Sequence, residues 1–233
     1  MPEAEGHANS RAASGRPVSP SADITASLGI SSKLEIPSPR CAVDMGGRRF
    51  SSRCRAPQSL EFGMSLQPQD GYIRLSGPLE RDNIVNGDGL RAVVWTQGCP
   101  NHCPGCQNPE TWDFAGGFLV ETKEICERLS QFPGQAGLTF CGGEPFVQPR
   151  ACREIAEFVR RELGWNVWSF SGFTYEQIRE AGGEAWEFLK ALDALIDGPF
   201  ILKQKDLSLK FRGSKNQRLL HLEYGTGKIV SIE

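Results

Sequence analysis

From Gly71 onward the apolar positions fall into short runs separated by longer amphipathic stretches. Tyr72-Ile-Arg-Leu75 predicts a short edge strand, and Asn86-Gly-Asp-Gly89 is a strong turn signal. Arg91-Ala-Val-Val-Trp-Thr96 reads as a buried strand that runs straight into a cysteine-bearing loop. Glu121 to Phe132 has helical spacing, with Ile125, Leu129 and Phe132 on one side. Gly137-Leu-Thr-Phe140 predicts a second strand of this kind, and Arg150 to Leu163 a helix with Ile155, Phe158 and Val159 as its apolar stripe. Asn166-Val-Trp-Ser-Phe170 is a third strand, Tyr175 to Leu192 a further helical region, and Ala194-Leu-Ile196 a fourth strand.

Repeated strand–loop–helix units imply an α/β fold with parallel strands and helices packed outside. The unusual loops each follow the carboxyl end of a predicted strand: Gly98 to Cys106, Cys141 to Pro145, Ser171 to Thr174 and Asp197 to Phe200. Parallel sheets and α/β barrels build their sites on that rim, so these loops are expected to converge.

Residues 1–63 have a different texture. They are rich in Ser, Ala, Pro, Gly and Arg without a sustained apolar period, a composition that buries too little surface to fold. The expectation is a disordered or mis-called extension over 1–63 and a folded domain over 64–233, Met64 being an alternative start. Arg11, Arg16, Arg40, Arg48 and Arg49 leave organelle targeting open, although Glu3 and Glu5 argue against it.

Composition narrows the classes. A net charge of -2 over 233 residues lacks the basic field of a nucleic-acid binder, and no stretch approaches the length of a membrane span. The first twenty residues hold no apolar leader core, so the eight cysteines fit a reducing, cytoplasmic setting, where clustered cysteines mean metal or redox chemistry. Cys41, Cys54, Cys126 and Cys152 stand alone and read as ordinary thiols.

Cys99-x3-Cys103-x2-Cys106 is the sharpest motif: three soft thiolate donors on a glycine-bearing loop, suited to three corners of an iron–sulfur cube. Its bland counterpart is a zinc site completed by His102, Cys126 or Cys141. Gly142 and Gly143 allow close backbone approach, and Glu144 could receive an ammonium group; by itself the segment is equally a turn. Phe200 could pack on a flat ring or fill the core, and Ser171 or Thr174 could simply cap a helix. Lys203 to Arg218 is locally basic and reads as a docking surface or a solvated face, with few aromatics for base stacking. His7, His102 and His221 form no evident catalytic group.

Together the cysteine loop and Gly142-Gly143-Glu144-Pro145 resemble the radical S-adenosylmethionine enzymes. More narrowly, the chain resembles the anaerobic ribonucleoside-triphosphate reductase activating proteins. The matching segments are Ile84 to Arg91, Gln97 to Trp112, Cys141 to Pro145, Ser171 to Thr174 and Asp197 to Arg218. Gly105 stands where most of the wider superfamily has an aromatic residue, which favours the narrower likeness. Cys141 stands where the activating proteins commonly have a small residue.

The resemblance implies a shortened, open (βα) partial barrel of radical S-adenosylmethionine type. It implies one [4Fe-4S] cluster held by Cys99, Cys103 and Cys106, with the fourth iron chelating S-adenosylmethionine. By similarity Gly105, Cys106 and Gln107 line the cofactor, Gly143 approaches its methionine end with Gly142 and Glu144 as helpers, and Pro199, Phe200 and Ile201 contact it from the later strand. Reductive cleavage would yield methionine and a 5′-deoxyadenosyl radical, which would take hydrogen from a backbone glycine of the reductase large subunit. The implied partners are that subunit and a low-potential donor such as flavodoxin or ferredoxin, with neither membrane nor nucleic acid. The alternatives are a radical enzyme acting on another protein or a small molecule, and a non-enzymatic zinc or electron-transfer module.

Overall fold

The structure is a computed structural model that describes residues 68–233. The expectations placed on residues 1–63, on Met64 as a boundary and on Cys41 and Cys54 lie outside the described residues.

Four parallel strands form the centre: β3 (Arg91–Thr96), β5 (Gly137–Gly142), β6 (Asn166–Phe170) and β7 (Ala194–Asp197). Before them come β1 (Tyr72–Leu75) and β2 (Glu80–Asn83), both antiparallel to β3, while β4 (Phe118–Glu121) pairs antiparallel with β1. β8 (Arg218–Glu223) and β9 (Lys228–Ile232) close the far side as an antiparallel hairpin. The sheet thus runs β4-β1-β3-β5-β6-β7-β8-β9, with β2 sharing the edge of β3.

Crossovers between the parallel strands carry α1 (Thr122–Leu129), α2 (Pro149–Leu163), α3 (Tyr175–Ala181) and α4 (Gly183–Lys190). Pro149 starts α2 where no intrahelical N–H is needed, and Gly164 ends it in the left-handed region at φ 68°. Thr174 caps α3 in a reciprocal capping box with Gln177. The helical region expected over 175–192 is split, because Gly182 at φ 65° and ψ -149° breaks the chain between α3 and α4.

Strand alternation sorts the side chains onto two faces. Ala92, Val94, Leu138, Phe140, Val167, Leu195 and Leu220 meet Ile125, Leu129, Ile155, Val159, Phe188 and Leu189 of the helices in one continuous core. The opposite face carries a much smaller apolar group, Trp168, Ala194, Ile196 and Leu219, with Phe170 and Phe211 against it. Fully buried Arg91 closes that face at the amino end of the strands. Its guanidinium donates to Thr139 Oγ1 (2.6 Å), Leu138 O (2.6 Å) and Asn166 Oδ1 (2.8 Å), and it lies 5.0 Å from the Trp168 ring.

Two expectations need adjustment. Tyr72–Leu75 is not the edge, because β4 pairs outside it. The hairpin β8–β9 also extends the sheet past the basic run, where no strands were anticipated. No helix among the described residues is long and apolar enough to cross a membrane.

Candidate functional site

The loop after β3 is closed at its base before it carries any chemistry. Gly98, at φ 93°, donates its N–H to Thr111 O (2.8 Å), and Cys99 N–H donates to Trp112 O (3.2 Å). The Gln97 side-chain amide donates to Glu110 O (3.1 Å) and Asp113 O (2.7 Å), so the segment is held from both ends. A turn in which Cys106 N–H donates to Cys103 O (3.0 Å) brings the last two thiols onto the same side. Cys99 is buried, Cys103 and Cys106 are half-buried, and all three line one cavity of about 780 Å³ on the inner face of the sheet.

Asn108 N–H donates to Cys106 Sγ (3.4 Å), and the backbone N–H groups of Asn101 and His102 pull the Cys99 thiol down, as that of Phe200 does for Cys103. In the protein alone burial still pushes the Cys99 thiol up to about 12 and raises Cys103. A metal cation reverses that balance, because a coordinated thiol is deprotonated outright. Among the described residues no three His, Cys, Asp or Glu side chains are gathered about a point that one metal ion could occupy. Three thiols on one loop that face shared space are residues that could hold a cluster.

The second loop is zipped onto the first. Gly143 N–H donates to Thr96 O (2.8 Å) and Glu144 N–H to Gly98 O (2.9 Å). A Cβ on Gly143 would lie 2.5 Å from Gly98 O, and one on Gly142, at φ 100°, 2.7 Å from Thr96 O. The close approach that these glycines permit is therefore to the backbone leading into the cysteines, with their outer side on the cavity.

Glu144 ties the third loop in. Its carboxylate is 1 % exposed and accepts from Phe146 N (3.1 Å), Ser171 Oγ (2.9 Å), Gly172 N (2.7 Å) and Asn101 Nδ2 (3.1 Å). Burial lifts it to about 7, against the pull of those four donors. One carboxylate thus joins the cysteine loop, its own loop and the segment after β6. Ser171 serves this knot, while the helix cap falls to Thr174.

The predicted site residues separate into two groups. Cys99, Cys103, Cys106, Gln107, Gly142, Gly143, Glu144 and Phe200 line the cavity together. Gly105, Pro199 and Ile201 are not on its wall: Gly105 packs by Leu202, Pro199 O accepts from Asn216 Nδ2 (2.7 Å), and Ile201 N–H donates to Ser214 Oγ (3.1 Å). Cys141 also faces the cavity, whereas Cys126 and Cys152 lie in the helix-side core. His102 sits edge-on to Trp112 at 4.9 Å.

Sequence reading missed Asn101, Asn108 and Asn86. All three lay in segments that carried the family resemblance, but none was assigned a role at the site. Asn86 Nδ2, like Trp112 Nε1, is buried on the cavity side without a partner among the described residues.

Much of the basic run is structural. Gln217 Oε1 accepts from Gly213 N (2.8 Å), Gln217 Nε2 donates to Gly198 O (3.0 Å), and Arg218 pairs with Glu176 (2.8 Å) and Asp197. Gln217 and Arg218, which were expected on a docking surface or a solvated face, are instead tied into the fold. They anchor the loop that follows β7.

A family model described as a 4Fe-4S single cluster domain matches residues 85–220. Curated relatives named anaerobic ribonucleoside-triphosphate reductase-activating protein include those of Haemophilus influenzae (32 % identity over 58 % of this chain and 90 % of that one) and Escherichia coli K12 (30 % over 60 % and 94 %). The relative of that name from Enterobacteria phage T4 is 37 % identical over 59 % of this chain and 87 % of its own. Among solved structures, QueE from Escherichia coli is similar with a TM-score of 0.39 at 13 % identity, covering 54 % of this chain and 58 % of that one. The chain belongs to the 4Fe-4S single cluster domain family and, within it, to the anaerobic ribonucleoside-triphosphate reductase-activating proteins.

Proposed function

We propose that this chain is a radical S-adenosylmethionine activase. It holds one [4Fe-4S] cluster through Cys99, Cys103 and Cys106 and generates a glycyl radical on an anaerobic ribonucleoside-triphosphate reductase, in the cytoplasm. The observation that carries the reading is the shared cavity. Three thiols face the same 780 Å³ space as Gly142, Gly143 and Phe200. When bound, the cluster supplies a low-potential electron and an open iron for reductive cleavage of S-adenosylmethionine.

The protein's own part is positional. The N–H groups of Asn101, His102, Phe200 and Asn108 stabilise negative charge on the ligand sulfurs. Gly142 and Gly143 let their loop lie directly on the backbone that leads into the cysteines, and both line the cavity where the methionine end of the cofactor would sit. Glu144 holds the loops in register, and a cofactor ammonium beside it would favour its ionised form. The Phe200 ring, which already packs over Gly213, offers an apolar surface to the adenosyl end. Gln107 stands on the wall as a further polar contact.

The test is anaerobic reconstitution with iron and sulfide analysis, followed by S-adenosylmethionine and dithionite. Methionine and 5′-deoxyadenosine are expected, and a glycyl-radical EPR doublet once the reductase is added. A fully loaded protein that cleaves nothing would overturn the activity. Cleavage without the doublet, beside a working activator, would move the target to another protein or a small molecule.

A further inference from the structure

The cysteine loop has an inner face on the cavity and an outer face toward solvent, and the outer face is occupied by one segment. Phe200 shares the cavity wall with Cys103, and two residues later Leu202, 52 % exposed, packs over Gly105, whose Cβ would stand 3.0 Å from Leu202 Cδ1. Neither Gly105 nor Leu202 lines the cavity. The next side chains outward, Lys203 and Lys205, are exposed. Lys215 is held beside them, because its N–H donates to Gln204 O (2.9 Å) and Ser214 bridges Lys205.

The neighbouring charges leave those first lysines dominant. Lys215 is drawn to Asp206 (3.5 Å), and Lys210 points away to Asp88 (3.3 Å). An exposed apolar residue followed by exposed lysines sits on the glycine between Cys103 and Cys106, on a chain whose net charge is -2. Overall charge would repel an acidic protein, so a local patch of opposite sign decides where such a partner lands. Because neither Gly105 nor Leu202 lines the cavity, a carrier docked on this face would not need the space the cofactor takes.

We propose that Leu202, Lys203 and Lys205, with Lys215, form the docking site for a small acidic electron-carrier protein, which delivers its electron to the cluster across Leu202 and Phe200. The inference rests on the cluster reading above. The step is a one-electron transfer: a flavin carrier passes from anionic hydroquinone to neutral semiquinone, the cluster goes from the 2+ to the 1+ state, and no proton crosses.

The test uses the full chain with its reconstituted cluster and a reduced flavodoxin. Lys203→Glu/Lys205→Glu is compared with Lys123→Glu/Lys228→Glu, which makes the same charge change at exposed lysines on other elements. Expected is a ~tenfold or larger fall in the flavodoxin-driven reduction rate at low salt for the first variant only, shrinking as salt is raised. A matching loss of affinity for oxidised flavodoxin, measured by titration, accompanies it. Cluster content and dithionite-driven methionine release stay at the wild-type level. Equal reduction rates and affinities for the two variants would overturn the docking site. So would a defect in Lys203→Glu/Lys205→Glu that persists with dithionite, which would place the effect at the cluster or cofactor site itself. A wild-type protein that takes up no cluster overturns this inference together with the reading beneath it.

Discussion

The two faces of the same central strands are built to opposite rules. On the helix side, Val94, Leu138, Phe140, Val167 and Leu195 are fully buried and meet helix side chains with no polar atom to satisfy. On the inner side, the alternate positions hold apolar Val93, Ala194 and Ile196 but also Arg91, Trp95, Thr139, Cys141 and Trp168, each of which needs a partner or leaves room for one. Packing on the first face is redundant, many contacts each contributing a little. On the second, a few directional contacts set the geometry, so a single atom matters far more to activity than to folding.

The largest effect expected tests that separation at its extreme. Cys99→Ala, Cys103→Ala and Cys106→Ala should each abolish methionine release and lower cluster iron, while the thermal midpoint of the apoprotein stays near that of the parent. A large drop in apoprotein stability would show that the loop also carries the fold. The converse change is Phe140→Ala, fully buried against Phe188 (5.4 Å). It should cost about 3–5 kcal/mol in denaturant unfolding while the protein that remains folded still loads its cluster.

Gly143→Ala probes the seam where the two rules meet. Its Cβ would press on Gly98 O, so about 1–3 kcal/mol of stability and roughly a hundredfold in cleavage rate are expected to go together. Loss of stability with full activity would place the strain elsewhere.

The smallest effect concerns pH. Arg218 holds the Glu176 carboxylate down from 4.5 to about 2. A depressed carboxylate contributes stability that is fully present above 4.5 and is lost as pH falls through about 2. Glu176 is half exposed, which limits the contribution to about 0.2–1 kcal/mol. Glu176→Gln should therefore unfold slightly more easily than the parent at pH 6 and indistinguishably near pH 2. A gap that widened on acidification would contradict the pairing.

Legibility in the sequence followed how local each cause is. The strand Asn166–Phe170 and the helix ending at Leu163 lie where alternation and spacing placed them, because burial of one face writes its period into neighbouring residues. β4 and β9 were missed because they are short and mostly exposed, which leaves little periodic signal. Arg218 looked like part of a basic surface until Asp197 and Glu176, distant in sequence, came to it. Glu144 likewise stood out as a motif residue, but its four donors come from three separate segments.

By itself the sequence determined the candidate thiols, their spacing and the order of the central strands and the helices between them, since thiol chemistry and period-dependent burial are properties of residues close along the chain. Only the tertiary structure decided that Gly143 abuts Gly98, that Gly105 faces outward onto Leu202, and that Gln217 and Arg218 anchor the loop after β7. Those outcomes depend on how strands far apart in sequence come into register, and contact across that distance leaves no pattern in any local run of residues.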